Sequence, residues 1–172
     1  MRLNYTLLLL SVFLFASQKG VAGINWVEVG VNGLTCSICS RSVEMSIARL
    51  EFVDSVVMSL EKTEGRVYLK DNVQANLKLI ARAVVNAGFS VRFLRIQFNF
   101  DNTPVDNDGL FSYQGQLFEW VDFKMMKKPG DVVLKLVDSD FLPKKESAQW
   151  KKKMASHKAS ADQHVLHVIQ EG

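Results

Sequence analysis

The feature that most limits how this chain folds is a double switch of hydrophobic period between Trp26 and Phe93. Val27, Val29 and Val31 alternate with Glu28 and Gly30, the period of a half-buried strand. Asn32-Gly33 breaks that strand. From Cys39 to Leu50 the period lengthens: Val43, Ile47 and Leu50 fall on one helical stripe, with Cys39 one turn earlier. Val56–Leu60 and Arg66–Leu69 then read as two strands of a hairpin across the polar turn Glu61–Gly65. A second helical stripe follows in Leu77, Ile80, Ala81 and Val84. Asp71-Asn72 offers an N-cap for it, and Asn86-Ala87-Gly88 ends it with a glycine suited to the left-handed position after a helix. Phe89–Phe93 opens a fourth strand. The order β-α-β-β-α-β is the split βαβ, or ferredoxin-like, arrangement.

The fourth strand does not stop at Phe93. Leu94, Ile96, Phe98 and Phe100 alternate with Arg95, Gln97 and Asn99, so it is expected to run on and link two parts of the molecule. Asp101–Gly109 is a turn-rich connector. Beyond it, Gln116–Phe123, Asp131–Val137 and His164–Ile169 read as strands. Lys127-Lys128-Pro129-Gly130 reads as a turn, Ser139–Pro143 as a break, and Glu146–Lys158 as a helix with Trp150, Met154 and His157 on one stripe. The fold class is therefore α+β. A ferredoxin-like βαββαβ domain over residues 23–100 is followed by a small β-rich domain over residues 101–172. For the latter the expectation is a barrel of the oligonucleotide/oligosaccharide-binding (OB) shape with one short helix.

Residues 1–22 stand apart. Arg2, the apolar run Leu7–Ala16 and the small residues Gly20-Val21-Ala22 have the layout of a secretory signal peptide. The run is well short of the roughly 20 residues a membrane span needs. The expectation is an exported protein, periplasmic or secreted, with no stable membrane insertion after cleavage. The whole chain carries a net charge of +3. Such a weak charge, without basic residues interleaved with aromatics, argues against nucleic acid as a partner. No nucleophile is paired with a histidine and an acid, and no glycine loop is built to cradle phosphate, so an enzyme is not expected.

Both cysteines of the chain, Cys36 and Cys39, lie in Gly33-Leu34-Thr35-Cys36-Ser37-Ile38-Cys39, where the first strand gives way to the first helix. Thiolates are soft ligands matched to Cu(I), Hg(II) or Zn(II). Two of them satisfy a nearly linear Cu(I) or Hg(II) and leave Zn(II) two ligands short of its tetrahedron. Partial positive charge at a helix N-terminus favours thiolate, which serves metal binding and disulfide exchange equally. A structural disulfide closing so short a loop has little chain entropy to remove. A thiol-disulfide oxidoreductase of the thioredoxin kind is the alternative from another class. That fold sets a cis-proline opposite its motif, and no proline lies between Cys39 and Asn102.

The run from Gly33 to Cys39 resembles the Gly-Met-Thr-Cys-x-x-Cys motif of the heavy-metal-associated domain family. That family includes copper chaperones, domains of copper-transporting ATPases and an exported mercury-binding protein. Leu34 stands where Met is usual, at a position the family buries. Ser40–Leu50, the hairpin and Ala87-Gly88-Phe89 also match the layout, so the resemblance covers about residues 24–94. It implies a ferredoxin-like fold and capture of a metal by Cys36 and Cys39. The metal expected is Cu(I), with Hg(II) or Zn(II) as alternatives. The partners implied are a metal-donor or metal-acceptor protein. Phe89 departs from the Tyr or Lys frequent there, and shields the thiolates from water or simply packs. A third reading is an interaction domain that keeps the scaffold and uses metal little.

Other residues carry weaker signals. His164 and His167 on a strand point to opposite faces, which argues against chelation. With His157 they read as surface or packing residues. Met125, Met126 and Met154 read as gap-fillers. Lys151-Lys152-Lys153 reads as a solvated helix face, and Trp26, Trp120 and Trp150 as core or inter-domain contacts.

Overall fold

A computed structural model describes residues 23–101, 103–123, 130–154 and 165–171. The first unit contains β1 (Gly23–Asn32), α1 (Ser37–Ala48), β2 (Val53–Ser59), β3 (Glu64–Leu69), α2 (Leu77–Asn86) and β4 (Ser90–Asn99). Then come β5 (Leu110–Tyr113), β6 (Gln116–Trp120), β7 (Asp131–Leu136), α3 (Lys144–Met154) and β8 (Val165–Gln170). The first six elements give the expected ferredoxin-like order. β1 lies between β3 and β4, antiparallel to both, and β2 pairs with the outer side of β3.

In that arrangement β4 would be a sheet edge, exposing unpaired backbone groups. Here β7 covers it, with Arg95 opposite Lys135 and Asn99 opposite Asp131. β8, β6 and β5 follow, giving one eight-stranded sheet in the order β2-β3-β1-β4-β7-β8-β6-β5. The C-terminal part is β-rich as expected, but it is not a barrel of the OB shape. Its strands extend an open sheet, because the apolar face of β4 continues through Phe98 and must be covered on both flanks. β5 was not anticipated; it is four residues long and follows directly on the connector.

Register puts one face together. Val27 lies opposite Val67 and Ile96; Ile96 lies opposite Leu134, Leu136 opposite Val168, and Phe118 opposite Leu166 and Phe111. All of these are buried in one apolar cluster, with Val43, Ile47, Ile80 and Val84 from α1 and α2 against its first part. Rings fill the remainder: Phe98 contacts Phe100, Phe111 and Tyr113, and Trp120 stacks on Phe100. Residues on either side of position 100 thus share both a sheet and a core.

The opposite face is lined by ion pairs. Glu28 takes Arg66 at 3.2 Å and Arg95 at 3.3 Å, and Lys135 takes Glu146 at 2.8 Å. Arg95 also pairs with Glu171. A small second core of Phe93, Val121, Val137 and Leu142 sits there beneath Trp150 and Met154 of α3. Gly30 is required at its margin: a Cβ there would lie 2.5 Å from the ring of Phe93. Lys151, Lys152 and Lys153 lie on the exposed side of α3, and the Nζ of Lys153 sits 4.4 Å from the Trp150 ring.

Two helix ends bear on the site. α2 is capped by Asn76, whose side chain accepts the Lys78 N–H at 3.1 Å; Asp71-Asn72 lies in the preceding loop instead. Asn72 has a φ of 58°, so the chain turns there before the helix begins. At the other end the Gly88 N–H donates to Val85 O at 2.9 Å and the Phe89 N–H to Val84 O at 3.2 Å. That pair of bonds is a Schellman motif, and Gly88 has the φ of 90° it needs.

Candidate metal centre

Cys36 and Cys39 are brought together at the start of α1. Cys36 has an extended backbone, with φ −141° and ψ 157°, and occupies the N-cap. The Cys39 N–H donates to Cys36 Sγ at 3.1 Å, and the Ser40 N–H donates to Cys36 O at 3.0 Å. Cys39 is the third helical residue. A sulfur at the N-cap does what Ser or Asp does there: it accepts an otherwise orphaned N–H. The structure shows the pair oxidised, as a disulfide with Cα atoms 5.1 Å apart.

The loop is open on one side and anchored on the other. Leu34 is 3% exposed, at the position where the family motif buries Met, and Cys39 packs against the main core. Ile38, between the cysteines, is 78% exposed. Phe89 is half-buried against the same core, and its ring lies 3.9 Å from where a Cβ on Gly33 would stand. The Ser46 hydroxyl donates to Ala83 O at 2.8 Å, fixing α1 against α2 behind the loop.

The sulfur pair is the donor set this loop presents. Among the described residues, no group of three or more His, Cys, Asp or Glu is placed to hold a metal ion. His157, His164, Met125 and Met126 lie outside the described residues. Met154 packs with Trp150 against the second core.

His167 has a stronger environment than a packing residue needs. Its Nδ1 lies 2.7 Å from Asp138 Oδ1, and its backbone N–H donates to Asp138 Oδ2 at 2.8 Å. Its Nε2 lies 3.5 Å from Oε2 of Glu119. The hydrogen bond to Asp138 raises the His167 pKa above its ordinary 6.5. Burial opposes this, and the charges of Asp138 and Glu119 add to the rise. Sequence reasoning missed this cluster, because Glu119, Asp138 and His167 meet only through strand pairing.

The family profile described as "Heavy-metal-associated domain" matches residues 28–90. This segment is a heavy-metal-associated domain. Over 76 residues the chain is 30% identical to the copper-transporting ATPase RAN1 of Arabidopsis thaliana. That match takes in 44% of this chain and only 8% of the ATPase. Among solved structures, the CopZ metallochaperone is 22% identical over 39% of this chain and 98% of its own, with a TM-score of 0.37. Oxidized MerP from Ralstonia metallidurans CH34 is 27% identical over 39% of this chain and 92% of its own, with a TM-score of 0.36. The profile match ends at Ser90, the first residue of β4, and does not extend to β5–β8. No helix among the described residues is long and apolar enough to cross a membrane.

Proposed function

We propose that the protein captures a soft metal ion, Cu(I) in the first place, through the thiolates of Cys36 and Cys39 and passes it to a partner protein. The observation that carries this reading is the placement of both sulfurs at the N-terminus of α1 within a matched heavy-metal-associated domain. The chemistry is direct. In the oxidised form the sulfurs are bonded to each other and offer no thiolate. An external dithiol must deliver two electrons to the disulfide, becoming a disulfide itself. The two freed thiols then lose their protons as Cu(I) binds. The helix N-terminus and the Cys39 N–H favour negative charge on Cys36, which lowers the cost of that loss.

Transfer proceeds by ligand exchange, the acceptor's thiolates replacing Cys36 and Cys39 one at a time. The exposed Ile38 leaves room for such an approach. Hg(II) suits the same pair, whereas Zn(II) needs two further ligands from a partner or water. The layout of residues 1–22 supports an exported chain, where a reducing partner is needed to open the disulfide. The relative named for copper transport, RAN1, supports Cu(I) over Hg(II).

The test is a competition titration of the reduced protein with a Cu(I) chelator. Uptake of about one ion per chain, lost in Cys36→Ser, is the expected result. Equal uptake by the double serine variant would refute the proposal. The disulfide itself favours one second reading, a thiol-disulfide oxidoreductase. An insulin-reduction assay separates the two, since catalytic turnover by the wild type and none by Cys36→Ser would favour the enzyme.

A further inference from the structure

His167 has no part in the metal chemistry, yet it joins three parts of the C-terminal region. It lies on β8, opposite Glu119 of β6, and its backbone carbonyl accepts the Val137 N–H at 3.0 Å. Asp138 grips it twice, at the ring and at the backbone N–H. A neutral imidazole has one ring N–H and can satisfy one carboxylate; an imidazolium has two and can face both. Glu119 is only 5% exposed, and so is poorly served by water. Among the described residues, these two carboxylates are the charged groups that face the ring. From α3, packed on the same side, Glu146 is turned to Lys135 and Lys153 lies over Trp150.

Asp138 also begins the segment that meets the metal-binding domain. Asp140 pairs with Lys78 of α2 at 3.5 Å, and Phe141 is fully buried. Ser139, Asp140 and Leu142 form one wall of a groove of about 420 Å³ whose other wall includes Asn32, Ser90 and Val91. Asn32 is the residue before Gly33, where the cysteine loop opens.

We propose that His167 is a proton-operated latch: as an imidazolium between Asp138 and Glu119 it pins residues 137–143 against the heavy-metal-associated domain, and loss of its proton loosens them. The direction follows from the charge on the ring: the neutral Nδ1–H tautomer keeps both bonds to Asp138, but it loses the charge that strengthens the ring bond and the Nε2 proton that faces Glu119. Because the folded state holds the proton more tightly than the unfolded chain, the latch is complete below the ordinary histidine pKa of 6.5. Its contribution is lost as pH rises through the higher folded pKa. The latch does not depend on metal, so it stands or falls separately from the proposal above.

The experiment follows the His167 ring by NMR titration in the full, metal-free chain. Amide exchange of residues 137–142, corrected for its intrinsic pH dependence, is measured across the same range. Wild type should titrate above 6.5. Protection of residues 137–142 should fall severalfold through that titration, while α1 stays constant. His167→Gln should leave protection low and flat with pH. Glu119→Gln should move the titration and the loss of protection together to lower pH, which keeps the test open if His167→Gln fails to fold. A ring that titrates at or below 6.5, or protection that ignores the titration, overturns the latch.

Discussion

One sheet carries two polar constructions, and they are built in opposite ways. The cysteine pair is local and open. Its hydrogen-bond donors, the N–H groups of Cys39 and Ser40, lie within four residues of Cys36, and Ile38 between the sulfurs faces solvent. The His167 cluster is non-local and half-enclosed; Asp138 is 29 residues away in the chain. The difference suits the tasks proposed for them. A site that hands over an ion needs ligands that a partner can reach and replace. A site that fixes one part of a molecule to another needs ligands that only folding assembles. The first is held by a helix N-terminus, the second by strand order.

The largest predicted effect tests whether these two regions belong to one cooperative unit. Phe98 is fully buried on β4, the strand that pairs with both β1 and β7. Its ring lies 4.6 Å from Phe100 and 5.2 Å from Phe111. Phe98→Ala should cost about 3–5 kcal/mol, the usual range for a buried phenylalanine left as a cavity. Urea unfolding followed by Trp fluorescence and by far-UV circular dichroism should give one coincident transition in both proteins. Two separated transitions in the wild type would show that the regions fold independently despite the shared sheet.

The first region was readable from the chain because its determinants are local. Val27, Val29 and Val31 declare a strand by themselves, and Gly88 marks a helix end whose bonds all fall within five residues. Leu34 falls where the family motif buries Met, and it is buried here. The motif also located the cysteines at the helix start. The second region was read only as β-rich. Its strands were mostly found, but strand order depends on which apolar edges remain uncovered, and the length of β4 was the one clue to that. The same limit hid the cluster of Glu119, Asp138 and His167. The misplaced cap of α2 is a smaller case: Asp71, Asn72 and Asn76 are all cap formers, and the choice falls to Asn76, directly before Leu77, the first buried residue of the segment.

A second prediction asks how far the cysteine end is energetically separate. Reducing the disulfide releases a loop with a sequence separation of three. The chain-entropy model then gives a loss of about 2 kcal/mol at most. Reduction with a phosphine should lower the urea midpoint slightly and leave the cooperativity unchanged. Exchange protection of β7 and β8 should not respond. A large loss of stability would mean that the disulfide braces the whole sheet, and the contrast between an open exchange site and a fixed one would fail.

The smallest predicted effect lies on α2, the element that touches both constructions. Its C-terminal end sets Phe89 beside the cysteine loop, and Lys78 near its N-terminal end pairs with Asp140. Asn76→Ala removes the side chain that accepts the Lys78 N–H and should cost about 1 kcal/mol. Asn76→Gly should cost only a few tenths, because water can then reach the freed N–H. The useful measurement is where the loss appears. Fraying is expected in the first turn of α2, because the Schellman bonds hold the last turn independently. Amide exchange should therefore rise at residues 78–80 while Gly88 and Phe89 keep their protection and the Cu(I) affinity proposed for the reduced protein is unchanged. If the affinity fell with the cap, α2 would transmit strain from one end to the other, and the two constructions would be coupled through it.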